Sequence, residues 1–328
     1  MSRLGNASIL NRVALALDGV VTPAAPLRIE SSRTTRVIGH RGAPREECEN
    51  TLSSFTRAIE LGADAIELDV CVTRDEKIIV WHDAHPDTTV GLVRQAGREE
   101  LAFVPDVPSL VSPARKAIAD LDLETVRAHY GYHRRGHLLR DLLDGDGQPR
   151  VPFALLDDAL LWARDEQKLN LLCIDVKLLE DQTAAAARLF DRVRAACVAE
   201  GARRDLVIGL MSPIREVIET FLACANQSGL PDTMRIYADF ELPGVLDTMR
   251  ELGMRRLSMG CGARSWADFE KELSEVIKAR EEGLLDEVIA WTIDDREQMR
   301  TLANLRVDGI LTNDCATLVE VLRERDRG

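Results

Sequence analysis

From about residue 36 onward, short runs of β-branched and other apolar residues alternate with stretches whose apolar positions repeat at helical spacing. The runs at 37–40, 65–72, 171–176, 206–211, 235–239, 256–259, 288–293 and 309–312 read as strands. The stretches at 52–61, 154–165, 183–199, 213–224, 243–252, 266–282 and 296–305 read as helices. Strand-then-helix alternation implies a parallel sheet, because a parallel neighbour is reached only through a long crossover. Eight such units predict closure into an α/β (β/α)8 TIM barrel.

One further apolar run, 78–82, breaks the pattern. Only Thr73-Arg74-Asp75-Glu76-Lys77 separates it from the second strand, too few residues for a parallel crossover. This polar linker suits a turn, so the run is expected to fold back as a hairpin on the second strand. His82 would then return toward Glu67 and Asp69. Residues 84–150 also interrupt the alternation, with a charged helix expected near 119–128 and a loop at Asp144-Gly145-Asp146-Gly147. A long excursion of this kind on the active face of a barrel is read as an insertion near the pocket mouth. Residues 1–34, broken by Pro23 and Pro26, read as an N-terminal extension, and 35–328 as the barrel domain.

A chain of 328 residues, 45% apolar, suits one barrel with a full core. The formal net charge of −13 disfavours a nucleic-acid partner. It also makes any phosphate site a local device, built from a metal and a few basic side chains. The seven cysteines are odd in number, scattered and without a CxxC pair, which fits a reduced, cytoplasmic setting better than a disulfide framework. No apolar run is long enough to span a bilayer. The modest apolar stretch at 13–17 is cut by Asp18, which argues against a secretory signal. It reads as a short amphipathic helix packed on the barrel, or in the sharper reading as a weak membrane-surface contact.

The chemistry concentrates in Val37–Asp83 and on one later strand. His40 and Arg41 end the first strand in Val37-Ile38-Gly39-His40-Arg41-Gly42, and Arg41 offers a planar fork of donors to phosphate oxygens. Glu67 and Asp69 lie two apart on the second strand, so both point to one face. Two carboxylates this close favour a shared hard cation, Mg2+ or Ca2+. Asp175 and Lys177 share a face of the next barrel strand, where Asp175 can complete the metal site and Lys177 can neutralise phosphate charge. Glu49-Asn50-Thr51 precedes a helix, so Asn50 or Thr51 caps it while Glu49 sits near the metal. Trp291 on the seventh strand offers an apolar wall for a glycerol or sugar moiety. Two histidines beside hard-metal ligands point to metal-assisted cleavage of a phosphodiester. Spacing leaves open which of His40 and His82 gives the proton. His129, His133 and His137 recur every four residues, but Gly131 and Gly136 weaken a helix there, and a solvated basic patch is expected in place of a zinc site.

Taken in order, His40-Arg41-Gly42, Glu49-Asn50-Thr51, Glu67-Leu68-Asp69-Val70, Trp81-His82-Asp83, Ile174-Asp175-Val176-Lys177, Trp291-Thr292-Ile293 and Val307-Asp308-Gly309-Ile310-Leu311-Thr312 resemble the glycerophosphodiester phosphodiesterases. These share the phospholipase-C-like TIM barrel, and the likeness runs over nearly the whole barrel. It implies His40 and His82 as the acid–base pair, Glu67, Asp69 and Asp175 as metal ligands, and Arg41 and Lys177 on the phosphate. It implies release of an alcohol from a glycerophosphoryl group. Where this chain has Asp175 the family usually has Glu. An Asp there is similar to the phosphatidylglycerol phospholipase C and sphingomyelinase D branches. The region of Tyr237-Ala238-Asp239-Phe240 and Leu311-Thr312-Asn313 also looks like the latter. A lipid-cleaving phospholipase C, phospholipase D or lysophospholipase D is therefore the rival reading. A catalytically silent barrel that binds a phosphorylated ligand is the rival from another class. An unrelated barrel chemistry would need Lys177 as a Schiff-base lysine, which the surrounding carboxylates oppose.

Overall fold

The structure, a computed structural model, describes residues 35–135, 150–241, 244–262 and 264–327. The expected N-terminal extension, His137 and the Asp144–Gly147 loop lie outside the described residues.

Eight parallel strands close a barrel. In chain order they are β1 (Arg36–His40), β2 (Ala65–Val72), then, after three strands outside the ring, β6 (Leu171–Val176), β7 (Val207–Ser212), β8 (Met234–Phe240), β9 (Arg256–Gly260), β10 (Glu287–Trp291) and β11 (Gly309–Thr312). Closure is made where β1 pairs with both β11 and β2. All eight strands predicted from the pattern are present. The fold-back is present too: β3 (Ile78–Val80) pairs antiparallel with β2, with Val70 opposite Val80. The helices follow the strands, beginning with α1 (Leu52–Glu60) and ending with Cys315–Arg325, a helix the periodic reading did not assign.

Period-two alternation builds the two sides of the wall. On β2, Ile66, Leu68 and Val70 face the helices, while Ala65 joins the inner cluster with Ile38, Leu171, Cys173, Met211, Tyr237, Ile289 and Leu311. The same parity turns Glu67 and Asp69 inward, beyond Ala65 toward the C-terminal rim. The β2–β6 register sets Asp69 opposite Asp175, and the β1–β2 register sets His40 opposite Glu67. Acidic residues on an inner face at this rim are placed where barrel enzymes hold their sites.

The insertion contains α2 (Thr89–Gln95), β4 (Phe103–Asp106), α3 (Leu123–His129) and β5 (Gly131–Arg134), with β4 and β5 forming a separate two-stranded antiparallel sheet. It has its own core, in which Trp81 packs on Tyr130, Tyr132 and Phe153. The charged helix expected near 119–128 begins later, at Leu123, after a single 3-10 turn at Ile118–Asp120. His129 ends that helix and His133 lies on a strand, so these two do not stack as helical neighbours. All seven cysteines are free, four of them buried. No helix among the described residues is long and apolar enough to cross a membrane.

Gly39 governs how closely β1 approaches α1. A Cβ added there would sit 2.6 Å from the Gly42 carbonyl oxygen and 2.9 Å from the Ala58 Cβ. Gly39→Ala is expected to lower stability by about 1–3 kcal/mol through overpacking. Denaturant unfolding checks this, and an unchanged midpoint would show that the strand end can shift freely.

Candidate active site

Three carboxylates form the centre. Glu67, Asp69 and Asp175 each bring an oxygen within 4.8 Å of the others, and all three are buried. Burial, followed by repulsion from Asp69 and Asp175, pushes Glu67 well above the usual carboxylate range. Asp69 goes the other way. Burial would raise it too, but His82, Lys177, Arg41 and a hydrogen bond from Asn50 together hold it well below. The set thus contains one carboxyl that resists ionisation beside one that is held ionised. Asp175 Oδ1 is buried without a hydrogen-bond partner among the described residues. An orphaned, buried carboxylate oxygen within an all-oxygen cluster fits a hard divalent cation.

Two basic side chains reach the same carboxylates. Lys177 Nζ lies 2.5 Å from Asp175 Oδ2 and 3.2 Å from Asp69 Oδ1. Burial disfavours its charge, yet Asp175 and Asp69 hold its pKa above the ordinary lysine value. Arg41 adopts a left-handed backbone, φ 55°, rare for a long side chain. The twist lets its backbone N–H donate to Glu67 Oε2 at 3.0 Å while its Nε sits 3.0 Å from Asp69 Oδ2 as an ion pair off the hydrogen-bond axis. Asn50 is also left-handed, φ 57°, and accepts from the Asp69 backbone N–H while donating to Asp69 Oδ2 at 2.9 Å. The cap on α1 falls to Thr51, which accepts from the Ser54 N–H.

The histidines approach from two sides. His40 Nδ1 lies 2.9 Å from Asn313 Oδ1. The Asn313 amide nitrogen donates to Asp294 at 2.8 Å, which turns its oxygen toward His40 and makes His40 the Nδ1–H tautomer. Burial and then the adjacent Arg41 push the His40 pKa down to about 3, so the ring is neutral. Its Nε2 therefore carries a free lone pair. His82 Nδ1 lies 2.7 Å from Asp83 Oδ1, and Asp83 is in turn held by Arg94 of α2.

Glu49 does not reach the carboxylate cluster. It accepts from Arg41 at 3.1 Å and from Arg94, forming the ring of charges around the site. Trp291 is half-buried on β10 and donates its indole N–H to Asp239 Oδ1 at 2.5 Å. Burial and then Asp175 raise Asp239 to about 7. His85 lies off the site and accepts from the Asp87 backbone N–H. Arg94 escaped the sequence reading, and Asp83, Asp239 and Asn313 entered it only as members of motifs, without a role. For Asp83 the adjacency to His82 was available as a signal, whereas Arg94 is reached only through the folded insertion.

A family model for the glycerophosphoryl diester phosphodiesterase family matches residues 40–208, just over half of the chain. The chain belongs to the glycerophosphoryl diester phosphodiesterase family. A second model, dermonecrotic toxin SPH, matches residues 260–327. A glycerophosphodiester phosphodiesterase of Caldanaerobacter subterraneus is 47% identical over 70 residues, 20% of this chain and 29% of that relative. The match therefore spans less than a third of that relative's length. Among solved structures, a glycerophosphodiester phosphodiesterase from Parabacteroides distasonis aligns with TM-score 0.62 at 17% identity over 90% of this chain and all of the other. An Oleispira antarctica phosphodiesterase, solved with the product sn-glycerol-3-phosphate, aligns with TM-score 0.59 at 15% identity over 88% of this chain and 97% of the other. Both show the barrel fold.

Because Glu67 resists ionisation, a cation must displace its proton. Affinity for Mg2+ or Ca2+ is expected to rise with pH across the range in which Glu67 ionises. Calorimetry in buffers of different ionisation enthalpy should show proton release on binding, and Glu67→Gln should abolish it. Binding without proton release would show that Glu67 is already ionised before the cation arrives or is not a ligand.

Proposed function

We propose that the protein is a metal-dependent phosphodiesterase that hydrolyses glycerophosphodiesters to an alcohol and glycerol 3-phosphate. The observation that carries this reading is the register that sets His40 against Glu67 and Asp69 against Asp175 on the inner face of the rim. The family membership supports it, as does the product held by the Oleispira antarctica neighbour. Glu67, Asp69 and Asp175 would hold one Mg2+ or Ca2+. When bound, the cation draws electron density from the phosphoryl oxygens and favours attack at phosphorus.

The chain's own groups then divide the work. Arg41 and Lys177 face the phosphate with fixed positive charge. His40, neutral with a free Nε2, accepts the proton of the attacking water. His82, backed by Asp83, gives a proton to the leaving alcohol oxygen as the phosphorus–oxygen bond breaks. Asn50 fixes the Asp69 carboxylate, and Trp291, oriented by Asp239, forms one wall for the glycerol moiety. The free cysteines suit a reducing, cytoplasmic setting.

His40→Ala and His82→Ala are each expected to lower kcat on the order of 10²–10⁴-fold with the fold intact. Circular dichroism and turnover of glycerophosphocholine check this. Near-normal turnover in either variant contradicts the assignment. No turnover by the parent protein on any diester would favour the silent, ligand-binding barrel.

A second reading, cleavage of lipid head-group diesters, has its own support. Helix α2 turns Val90, Leu92 and Val93 to solvent, and the nearby loop carries Leu110 and Val111 at 79% and 92% exposure. Arg115 ties the two together by donating to the Pro108 carbonyl and to Gln95. The match to the dermonecrotic toxin model points the same way. On this reading Val93→Ser/Leu110→Ser/Val111→Ser loses activity on micellar lysophosphatidylcholine but keeps it on soluble glycerophosphocholine. Phosphorus NMR of both substrates decides. Equal activity of variant and parent on micelles removes the patch as its support, and no turnover of micelles by the parent removes the lipid reading.

A further inference from the structure

Helix α2 is built inside out. Its arginine is its most buried long side chain, 1% exposed, while Val90, Leu92 and Val93 face solvent. Nothing in helix formation requires this. Burying a guanidinium is costly unless every donor is matched to an acceptor. Arg94 comes close to that condition, with a carboxylate acceptor for each of its three nitrogens. Its Nε donates to Asp83 Oδ2 at 3.2 Å, its Nη1 to Glu99 at 2.7 Å, and its Nη2 to Glu49 Oε1.

All three carboxylates lead into the site, Glu99 by an ion pair with Arg41 Nη1 at 3.7 Å and the other two by hydrogen bonds. Asp83 Oδ1, itself 3.1 Å from Arg94 Nε, holds His82 Nδ1 at 2.7 Å. Glu49 uses Oε2 to hold Arg41 Nη1 at 3.1 Å. One guanidinium thus joins the arm that carries His82 to the arm that carries Arg41. The two arms come from different parts of the chain, the fold-back after β3 and the turn after β1. No hydrogen bond between His82 and Arg41 themselves appears among the described residues.

We propose that Arg94 is a positioning residue that sets His82 and Arg41 relative to one another through Asp83 and Glu49. It touches neither substrate nor cation. Its planar fork holds two carboxylates at once, which a lysine, a single point charge, does less well. The inference takes the proposed diester hydrolysis as its reaction and adds the insertion to the catalytic apparatus. The insertion thereby braces the site from behind as well as standing beside its mouth.

The test compares Arg94→Gln, Arg94→Lys, Asp83→Asn and the double variant Arg94→Gln/Asp83→Asn, all metal-loaded, with nitrogen-15 NMR of the His82 ring alongside. Arg94→Gln is expected to lower kcat on the order of 10²-fold, with KM changed far less. Arg94→Lys should recover part of that loss. The double variant should be no slower than the slower single, since both changes cut one link. In the NMR, the His82 Nδ1–H held by Asp83 should give way to exchange in Arg94→Gln. Losses that multiply in the double variant, or near-normal kcat in Arg94→Gln, overturn the proposal. If Arg94→Gln does not fold, Arg94→Lys/Asp83→Asn closes the same cycle. Should the wild-type protein turn over no diester, the proposed reaction fails on its own, and the ring signal still decides: an unchanged His82 in Arg94→Lys and Arg94→Gln contradicts the positioning role.

Discussion

Three carboxylates buried within 4.8 Å of one another repel, and much of the rim is arranged around that repulsion. In a low-dielectric interior such a cluster persists only when opposite charge and hydrogen bonds surround it. The fold supplies both. Lys177 bridges Asp69 and Asp175, and Arg41 reaches Asp69 and Glu67 from a strained backbone. Asn50 holds Asp69 from its own left-handed position. Even so, Glu67 is driven toward its protonated form and Asp175 keeps an oxygen without a partner. The remaining unmet demand is for positive charge, which the proposed divalent cation would answer.

That demand explains the second layer of charges. Arg41 is shared between the cluster and Glu49, and Glu49 is shared between Arg41 and Arg94. Arg94 then connects to Asp83 and so to His82. Carboxylates and guanidiniums alternate outward from the centre until they reach the insertion. Alternation of this kind lets buried charges satisfy one another without exposed solvent. It also makes the site dependent on an element that is not part of the barrel.

Much of this was legible in the chain. The eight strands were read because their apolar runs are short, β-branched and bounded by polar turns. The fold-back of β3 followed from a crossover too short for a parallel pair. Glu67 with Asp69, and Asp175 with Lys177, were placed on common faces by period two alone. What escaped depends on contacts distant in sequence. Helix α2 defeats periodic reading because its apolar residues face out and its arginine faces in. The strands β4 and β5 lie in a segment whose pairing spans from Phe103 to Arg134. Asn313 sits 273 residues from His40, and only barrel closure through β1 and β11 brings them together. The four-residue histidine spacing carries no helical stack, as Gly131 suggests, since Tyr130 already leaves the helix and Gly131 begins a strand.

The central claim is that Glu67, Asp69 and Asp175 hold one divalent cation. A crystal of the protein grown with Mn2+, measured at an energy where manganese scatters anomalously, tests it most directly. The account predicts a single strong anomalous peak bounded by these three carboxylates, with Asp175 Oδ1 among its ligands. A peak held elsewhere, or a cluster that stays closed around Lys177 with no peak at saturating Mn2+, would contradict it.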